Sequence, residues 1–357
     1  MQRSVKISLT LATVAKRRRL AALLREIKSC TQRYINYLWS NPGRLDAATL
    51  NRIAGGSLSY RHRSNCLKVA LETLSSTRKA ARATGVTASC PHVNGAIRLS
   101  SLVCKVEPGK GTFDYVLKVS SLVKGEPIVI PFRSHKRLNY WLEKPGAKLL
   151  QGCTLGDGWA ALWIEVADQQ PKMGDVLGVD IGINKLLVDS NGNRYGVEVK
   201  AVCARVRRCK PKSKGRLRAS RARKDYINRE VKRLPWATLG SLGVENLKNM
   251  KLGKKPGRGK TFRKAIAPWT YRQVIARIEM LAQENRVLLV AVDPRNTSRT
   301  CPLCKTVAKE SRVGEHFCCV SCGFAADADH AGAVNVLVRA HPNSGQSMVA
   351  RCFAKKS

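Results

Sequence analysis

Acidic residues are scarce in this sequence. Its 357 residues carry 24 Asp and Glu against 65 Lys and Arg, a formal net charge of +41. Such an excess of one sign repels itself unless a polyanion neutralises it. Nucleic acid is the first candidate, because each neutralised phosphate releases condensed counterions. The alternative is a solvated basic surface, as on a structural RNA-binding protein. Long apolar runs are also missing: none reaches the roughly 18 residues of a membrane helix. A disulfide framework is absent too. Of the 13 cysteines, four stand in two C-x-x-C pairs and most others are scattered singly. That pattern fits a reducing cytosol and one metal site. The opening MQRSVKISLTLATVAKRRR has the outline of a signal peptide. However, Val5, Ile7, Leu9 and Leu11 alternate with polar residues, so an amphipathic first strand is the better reading.

The pattern then becomes helical. Leu20, Leu23, Leu24, Ile27, Ile35 and Leu38 fall on one helix face, NPGR at 41–44 breaks it, and Leu67, Ala70, Leu71 and Leu74 mark a second helix. From about residue 90 to 170 short β-rich runs follow: IRLSSLVCKV, FDYVLKVSSLV, EPIVIPF and WAALWIEV. Gly, Pro and charge separate them, as in a barrel or sandwich that could take in the first strand with the helices inserted. VLGVDIGINKLLVDSNGNRYGVEVK reads as two strands joined by a turn at 190–193. Residues 203–235 hold 14 basic residues and two acids, closed by a helix over DYINREVKRL. SLGVENL is a short buried strand, and 250–264, with seven basic residues and no acid, is a loop that orders on a partner. YRQVIARIEMLAQEN is a helix, VLLVAVDP a buried strand and DHAGAVNVLVRAH a final helix. The tail from Pro342 shows little pattern. The second half is therefore α/β, with a Cys-rich excursion before its last helix.

That excursion holds Cys301-x-x-Cys304 and, after 14 residues, Cys319-x-x-Cys322. Each pair makes a knuckle offering two thiolates, and two knuckles complete a tetrahedral zinc ribbon. A redox dithiol would need only one pair. Four thiolates leave no place for water, so this Zn²⁺ is structural. Cys318, beside Cys319, is read as a non-ligand.

Acids at the ends of apolar runs stand out in so basic a chain. Asp180 lies inside LGVDIGI, Glu245 ends LGVEN, and Asp329 begins the last helix, where it is also a plausible N-cap. Asp on a first strand, Glu at the end of a later one and Asp on a closing helix is the RNase H-like arrangement. Hydrolysing a phosphodiester needs an activated water and a stabilised leaving oxygen, which two Mg²⁺ ions roughly 3.5–4 Å apart supply. Mg²⁺ takes hard oxygen ligands, hence carboxylates. Asp327 is expected outside this set.

At these residues the chain resembles the TnpB (OrfB) family of transposon-encoded RNA-guided nucleases, relatives of miniature type V CRISPR effectors. GVDIGINKLLVDSNG is similar to the family's first RuvC motif, GVENLK to its second and DADHAGAVNV to its third. TSRTCPLC and FCCVSCGFAADAD resemble its zinc-binding segment. The resemblance covers 176–340. It implies catalytic, Mg²⁺-binding Asp180, Glu245 and Asp329, and zinc on Cys301, Cys304, Cys319 and Cys322. Where the family often reads D-R-D-x-N-A-A-x-N-I, this chain has Ala328, Ala331 and Gly332, while Asp329 and Asn335 remain.

The implied architecture is multidomain, α+β then α/β. Residues 1–11 are the first strand of a wedge β-barrel, 12–88 an inserted helical recognition module and 89–172 the rest of the barrel. Residues 173–296 form an RNase H-like (RuvC) nuclease domain, 297–326 an inserted zinc ribbon, 327–341 the helix of the third motif and 342–357 a tail. The implied partners are a guide RNA and double- and single-stranded target DNA, with no membrane, a monomer on the guide and a place in the prokaryotic cytoplasm near the nucleoid. Candidate nucleic-acid contacts are Arg205, Arg207, Arg208, Lys210, Lys212, Lys214, Lys254, Lys255, Arg258 and Lys260. Tyr140 or Trp141, Trp236 and Trp269 are candidates for base stacking or, alternatively, core aromatics. Competing readings are a compact type V CRISPR effector, a nuclease-dead RNA-guided repressor, a transposase-associated DNA-binding protein, and a zinc-ribbon scaffold for structural RNA.

Overall fold

The structure, a computed structural model, describes residues 1–42, 46–85, 87–246 and 271–353. The chain divides into two compact units, 1–168 and 169–357. Among the described residues, no helix is long and apolar enough to cross a membrane.

In the first unit, strand β1 (Gln2–Ser8) buries its alternate apolar residues and leads into helix α1 (Val14–Ser40), capped by the Thr13 hydroxyl. Two helices follow, α2 (Ala47–Ala54) and α3 (Tyr60–Thr84), capped by Asp46 and Ser59. The sequence pattern did not mark α2. It also placed Leu71 on the buried stripe of α3, yet Leu71 is 40% exposed and Cys66 takes its place inward. An i, i+4 step from Leu67 to Leu71 drifts off the narrow face that meets α1, whereas Cys66, Ala70 and Leu74 stay on it.

The strands of this unit are β2 (Ile97–Leu99), β3 (Cys104–Pro108), β4 (Tyr115–Val119), β5 (Ile128–Phe132), β6 (Lys148–Gly156) and β7 (Trp159–Glu165). Helix α4 (Lys136–Leu142) lies between β5 and β6. The stretch 97–106 is two strands rather than one, and β6 had no clear sequence signal. The strands form two antiparallel sheets, β1-β7-β6-β2 and β3-β4-β5. All seven residues of β1 pair with β7, so the first strand does join the later ones around the inserted helices. Gln151, at an irregularity in β6, exchanges two side-chain hydrogen bonds with the Val106 backbone of β3, at 2.8 and 3.1 Å. It thereby replaces a ladder pair and links the two sheets.

In the second unit a five-stranded sheet runs β10-β9-β8-β11-β12. Its members are β8 (Asp175–Asp180), β9 (Leu187–Asp189), β10 (Arg194–Tyr195), β11 (Leu239–Glu245) and β12 (Leu288–Val292). β8, β11 and β12 are parallel; β9 and β10 are antiparallel additions. The two-strand reading of 176–200 is thus corrected to three. β8 stops at Asp180 because the chain turns at Gly182, whose N–H reaches the Leu186 carbonyl. β12 is not a buried strand: it is the sheet edge, and Leu288 is 49% exposed.

Helices α5 (Val199–Arg208) and α6 (Lys214–Lys232) carry most of the basic run, so helix extends well beyond DYINREVKRL. Pro211 separates them, and Ser213 caps the second. Helix α7 (Tyr271–Glu284) precedes β12. A small sheet, β13 (Arg312–Val313), β14 (His316–Cys318) and β15 (Ala325–Asp327), leads into α8 (Ala328–Ala340). The tail that lacked pattern is also helical: α9 (Pro342–Phe353) begins on Pro342, a residue suited to a first helical position, and packs Phe353 on Phe324 and His330.

Gly178 of β8 lies opposite Gly243 of β11, and together they make a flat floor under α8. A Cβ on Gly178 would come within 2.3 Å of the Ala333 carbonyl oxygen, and one on Gly243 within 2.8 Å of Ala340. No larger residue permits so close a helix. Gly178→Ala is expected to cost about 3 kcal/mol of stability, the upper range for overpacking, read as a lower denaturant midpoint. Wild-type stability in that variant would contradict this packing.

Candidate active site and metal centre

The close approach of α8 sets the geometry of the acids. Val179 pairs with Val244 across parallel strands, so Asp180 and Glu245 leave the sheet at the same edge. Asp329 reaches them from the first turn of α8. Gly332, one turn on, faces Asp180: a Cβ there would lie 3.3 Å from Asp180 Oδ2. The glycine therefore leaves room for the carboxylate. Burial, then the charges of Glu245 and Asp329, pushes Asp180 up to about 8, against the pull of Arg312. Burial also raises Glu245, which the Thr297 hydroxyl partly offsets by donating to its Oε1. A buried carboxyl flanked by the charges of Glu245 and Asp329 makes a site that favours cations.

Asp329 is not the helix cap. Asp327, in extended conformation, accepts from the N–H groups of Asp329 and His330 at 3.0 and 3.2 Å. The sequence offers two acids two residues apart, and only the one still outside the helix can cap. Asp327 also binds Lys185 at 2.8 Å and Arg194 at 3.0 Å. Burial works against its charge, but these cations and the helix N–H groups outweigh burial and hold its carboxyl below the usual range.

Three further residues at the site had no sequence signal. Lys185, in the loop after β8, is buried against Asp327 and Asp329. Arg312 of β13 donates to Asp329 Oδ1 at 3.1 Å. Thr297 joins Glu245 to Asn335, whose amide donates to the Thr297 and Thr300 carbonyls at 2.9 and 2.7 Å. Each belongs to a loop or short strand, and what brings it to the site is tertiary packing rather than local pattern.

The four cysteines converge. Cys301, Cys304, Cys319 and Cys322 hold their sulfurs within 4.8 Å of one another. The knuckles match: Lys305 and Gly323, each following a C-x-x-C pair, take left-handed backbone and donate to the carbonyls of Cys301 and Cys319. Lys305 does so without the freedom of glycine. Cys318 is exposed and outside the cluster. Among the described residues, this is the one group of three or more Cys, His, Asp or Glu side chains placed to share a single ion. Four soft sulfur donors at tetrahedral spacing fit such an ion.

Arg205, Arg207, Arg208, Lys210, Lys212 and Lys214 are all exposed on α5, α6 and their connection. Lys254, Lys255, Arg258, Lys260 and Trp269 lie outside the described residues. Trp236 and Trp141 are core residues: both are buried, and the Trp236 indole donates to the Val231 carbonyl. Tyr140 is 39% exposed, with Lys144 over its ring.

A family profile described as the TNB domain of Cas12f1-like proteins matches residues 271–336. Over 100 residues the chain is 29% identical to the CRISPR-associated endodeoxyribonuclease Cas12f1 of Sulfoacidibacillus thermotolerans. That match takes in 28% of this chain and 22% of the relative, so it spans under a quarter of the relative's length. In fold, the chain is similar to the protein in a cryo-EM structure of a Cas12f1–sgRNA–target DNA complex. The match covers 90% of this chain and 82% of the other, with TM-score 0.53 and 17% identity. It is similar over 98% of both chains to CasPhi-2 (Cas12j) bound to crRNA, with TM-score 0.52 and 10% identity. A further match is the mini-RNA-guided endonuclease CRISPR-Cas_phi3, over 95% of this chain and 92% of that one, at TM-score 0.52 and 12% identity. In overall fold and in its Cys-rich segment, this chain is similar to the TnpB-like miniature type V effectors.

Proposed function

We propose that this protein is a compact RNA-guided DNA endonuclease of the TnpB type. The observation that carries the reading is the meeting of Asp180, Glu245 and Asp329 at one edge of a mixed five-stranded sheet, next to a Cys-rich segment. In this reading the sheet is a RuvC-like, RNase H-like core, the two-sheet first unit is the wedge barrel with its recognition helices, and the cysteines hold zinc. The three carboxylates would hold divalent cations, Mg²⁺ by the hardness of the donors. When bound, such ions supply an activated water and charge stabilisation at the leaving oxygen.

The chain's own residues do the rest. Glu245 is oriented by Thr297, which Asn335 ties to α8. Arg312 and Lys185 balance the charge of Asp329. The exposed cations of α5 and α6 neutralise the phosphates of guide and target. Sequence choice then rests on guide pairing, as in other guided nucleases. The named relatives, a Cas12f1 endodeoxyribonuclease and guide-bound CasPhi proteins, support nuclease activity and RNA and DNA as partners. A compact type V CRISPR effector would use the same three acids, and the neighbouring locus separates the two readings.

The test begins with protein purified from cells that express its native locus. Bound RNA is extracted and sequenced. The complex is then incubated with Mg²⁺ and a plasmid library matching that RNA with randomised flanks. One RNA species and flank-dependent cuts that vanish in Asp329→Ala are the expected result. Target binding without cuts would indicate a repressor, and no defined RNA would overturn the proposal.

A further inference from the structure

An ammonium group sits within the acidic cluster. Lys185 is buried, and its Nζ lies 2.8 Å from Asp327 Oδ2, 3.4 Å from Asp329 Oδ2 and 3.4 Å from Glu315 Oε2. Arg312 holds the other oxygen of Asp329. Both oxygens of Asp329 therefore face cations of the protein itself. Glu315 is fixed from the opposite side by Asn184, whose amide donates to its Oε1 at 2.9 Å.

We propose that Lys185 is an internal competitor for the divalent cations of the acidic site. Its ammonium neutralises Asp329 in the metal-free protein and weakens cation binding there. The inference rests on the reading that Asp180, Glu245 and Asp329 form a cation site.

The geometry suits a group that can let go. An ammonium on a flexible four-carbon stem moves easily, whereas the planar guanidinium of Arg312 is held at two points, by the Gly314 carbonyl and by Asp329. When a cation takes Asp329, Lys185 keeps Asp327 and Glu315, so its charge is not stranded in a buried place. A positive charge this close opposes an incoming cation strongly, because the surroundings screen it less than water does.

The experiment is Mn²⁺ binding to the full-length protein, followed by loss of the electron paramagnetic resonance signal of free aquo-Mn²⁺. Lys185→Met is expected to bind Mn²⁺ at least about 10-fold more tightly than wild type. Lys185→Arg, which keeps the charge, should stay near wild type, and adding Asp180→Asn to Lys185→Met should remove the gain. A purely structural lysine would give equal or weaker binding in Lys185→Met, and that result overturns the proposal. Should the Met variant not fold, the exposed Glu315→Gln serves instead. It removes the charge of one alternative partner, leaves the ammonium more firmly on Asp329, and is expected to weaken Mn²⁺ binding about threefold; unchanged affinity overturns the proposal. Wild-type binding that Asp180→Asn abolishes, with Lys185→Met no different, sinks this inference alone. Absence of binding in every variant removes the acidic-site reading with it.

Discussion

Asp180→Ala is expected to lower DNA cleavage by at least about 10³-fold, the scale seen when one member of an interdependent catalytic set is removed. RNA binding should be unchanged, because Asp180 lies at the carboxyl end of β8 beside Gly332 of α8, whereas the candidate RNA contacts are exposed on α5, α6 and their connection. The measurement is cleavage of a guide-matched plasmid alongside RNA retention on a filter. Full cleavage would dismiss the site assignment.

The substitution should also stabilise the metal-free protein. Asp180 holds its proton up to about 8 when folded, against 3.8 for a free side chain. Between those values the folded state binds a proton that the unfolded chain has lost. Stability therefore falls as pH rises through that window. Asp180→Asn should raise the melting temperature most near pH 8 and least below about pH 4. A melting curve that shifts equally at both ends would mean that neither burial nor the charges of Glu245 and Asp329 raise Asp180 in the folded protein.

The second large effect concerns the cysteines. Cys301→Ser, or removal of the metal by a strong chelator, is expected to bring zinc content from one per chain to near none. Residues 301–322 should become sensitive to protease, since structural zinc commonly supplies most of the folding energy of such a segment. Cleavage should fall as well. Arg312 and Glu315 belong to this segment, and β15 runs directly into Asp327, the cap of α8. Loosening it would release Asp329 from Arg312 and fray the turn that carries it. Unchanged zinc content would refute the clamp, while lost zinc with undiminished cleavage would mean that the segment does not support the acids.

Much of this site was legible in the chain's residues because its chemistry is sparse. Two C-x-x-C pairs have few other uses, and acids that end apolar strands are conspicuous among 65 basic residues. β1, with its clean alternation, was legible for the same kind of reason. What pattern did not reveal was decided by long-range packing. β6 contains Gly152 and the polar Gln151, which read as loop until β3 is beside them. Lys185 and Thr297 are ordinary loop residues until α8 lies on the sheet. The cap of α8 was misplaced because DAD offers two equivalent side chains, and only backbone conformation separates them. Edge and centre of a parallel sheet also look alike in a short apolar run, which is how β12 came to be expected inside.

The pairing of β1 with β7 has a consequence for how the chain is made. Gln2 meets Glu165, so the first strand emerges from the ribosome long before its partner exists. At about 5–20 residues per second, it waits roughly 8–30 s. During that time the nascent chain carries an unpaired, half-apolar edge, while α1 and α3 are already complete and close on each other. The helices between the two strands are thus available to fold early, ahead of a sheet that cannot form until β7 is synthesised.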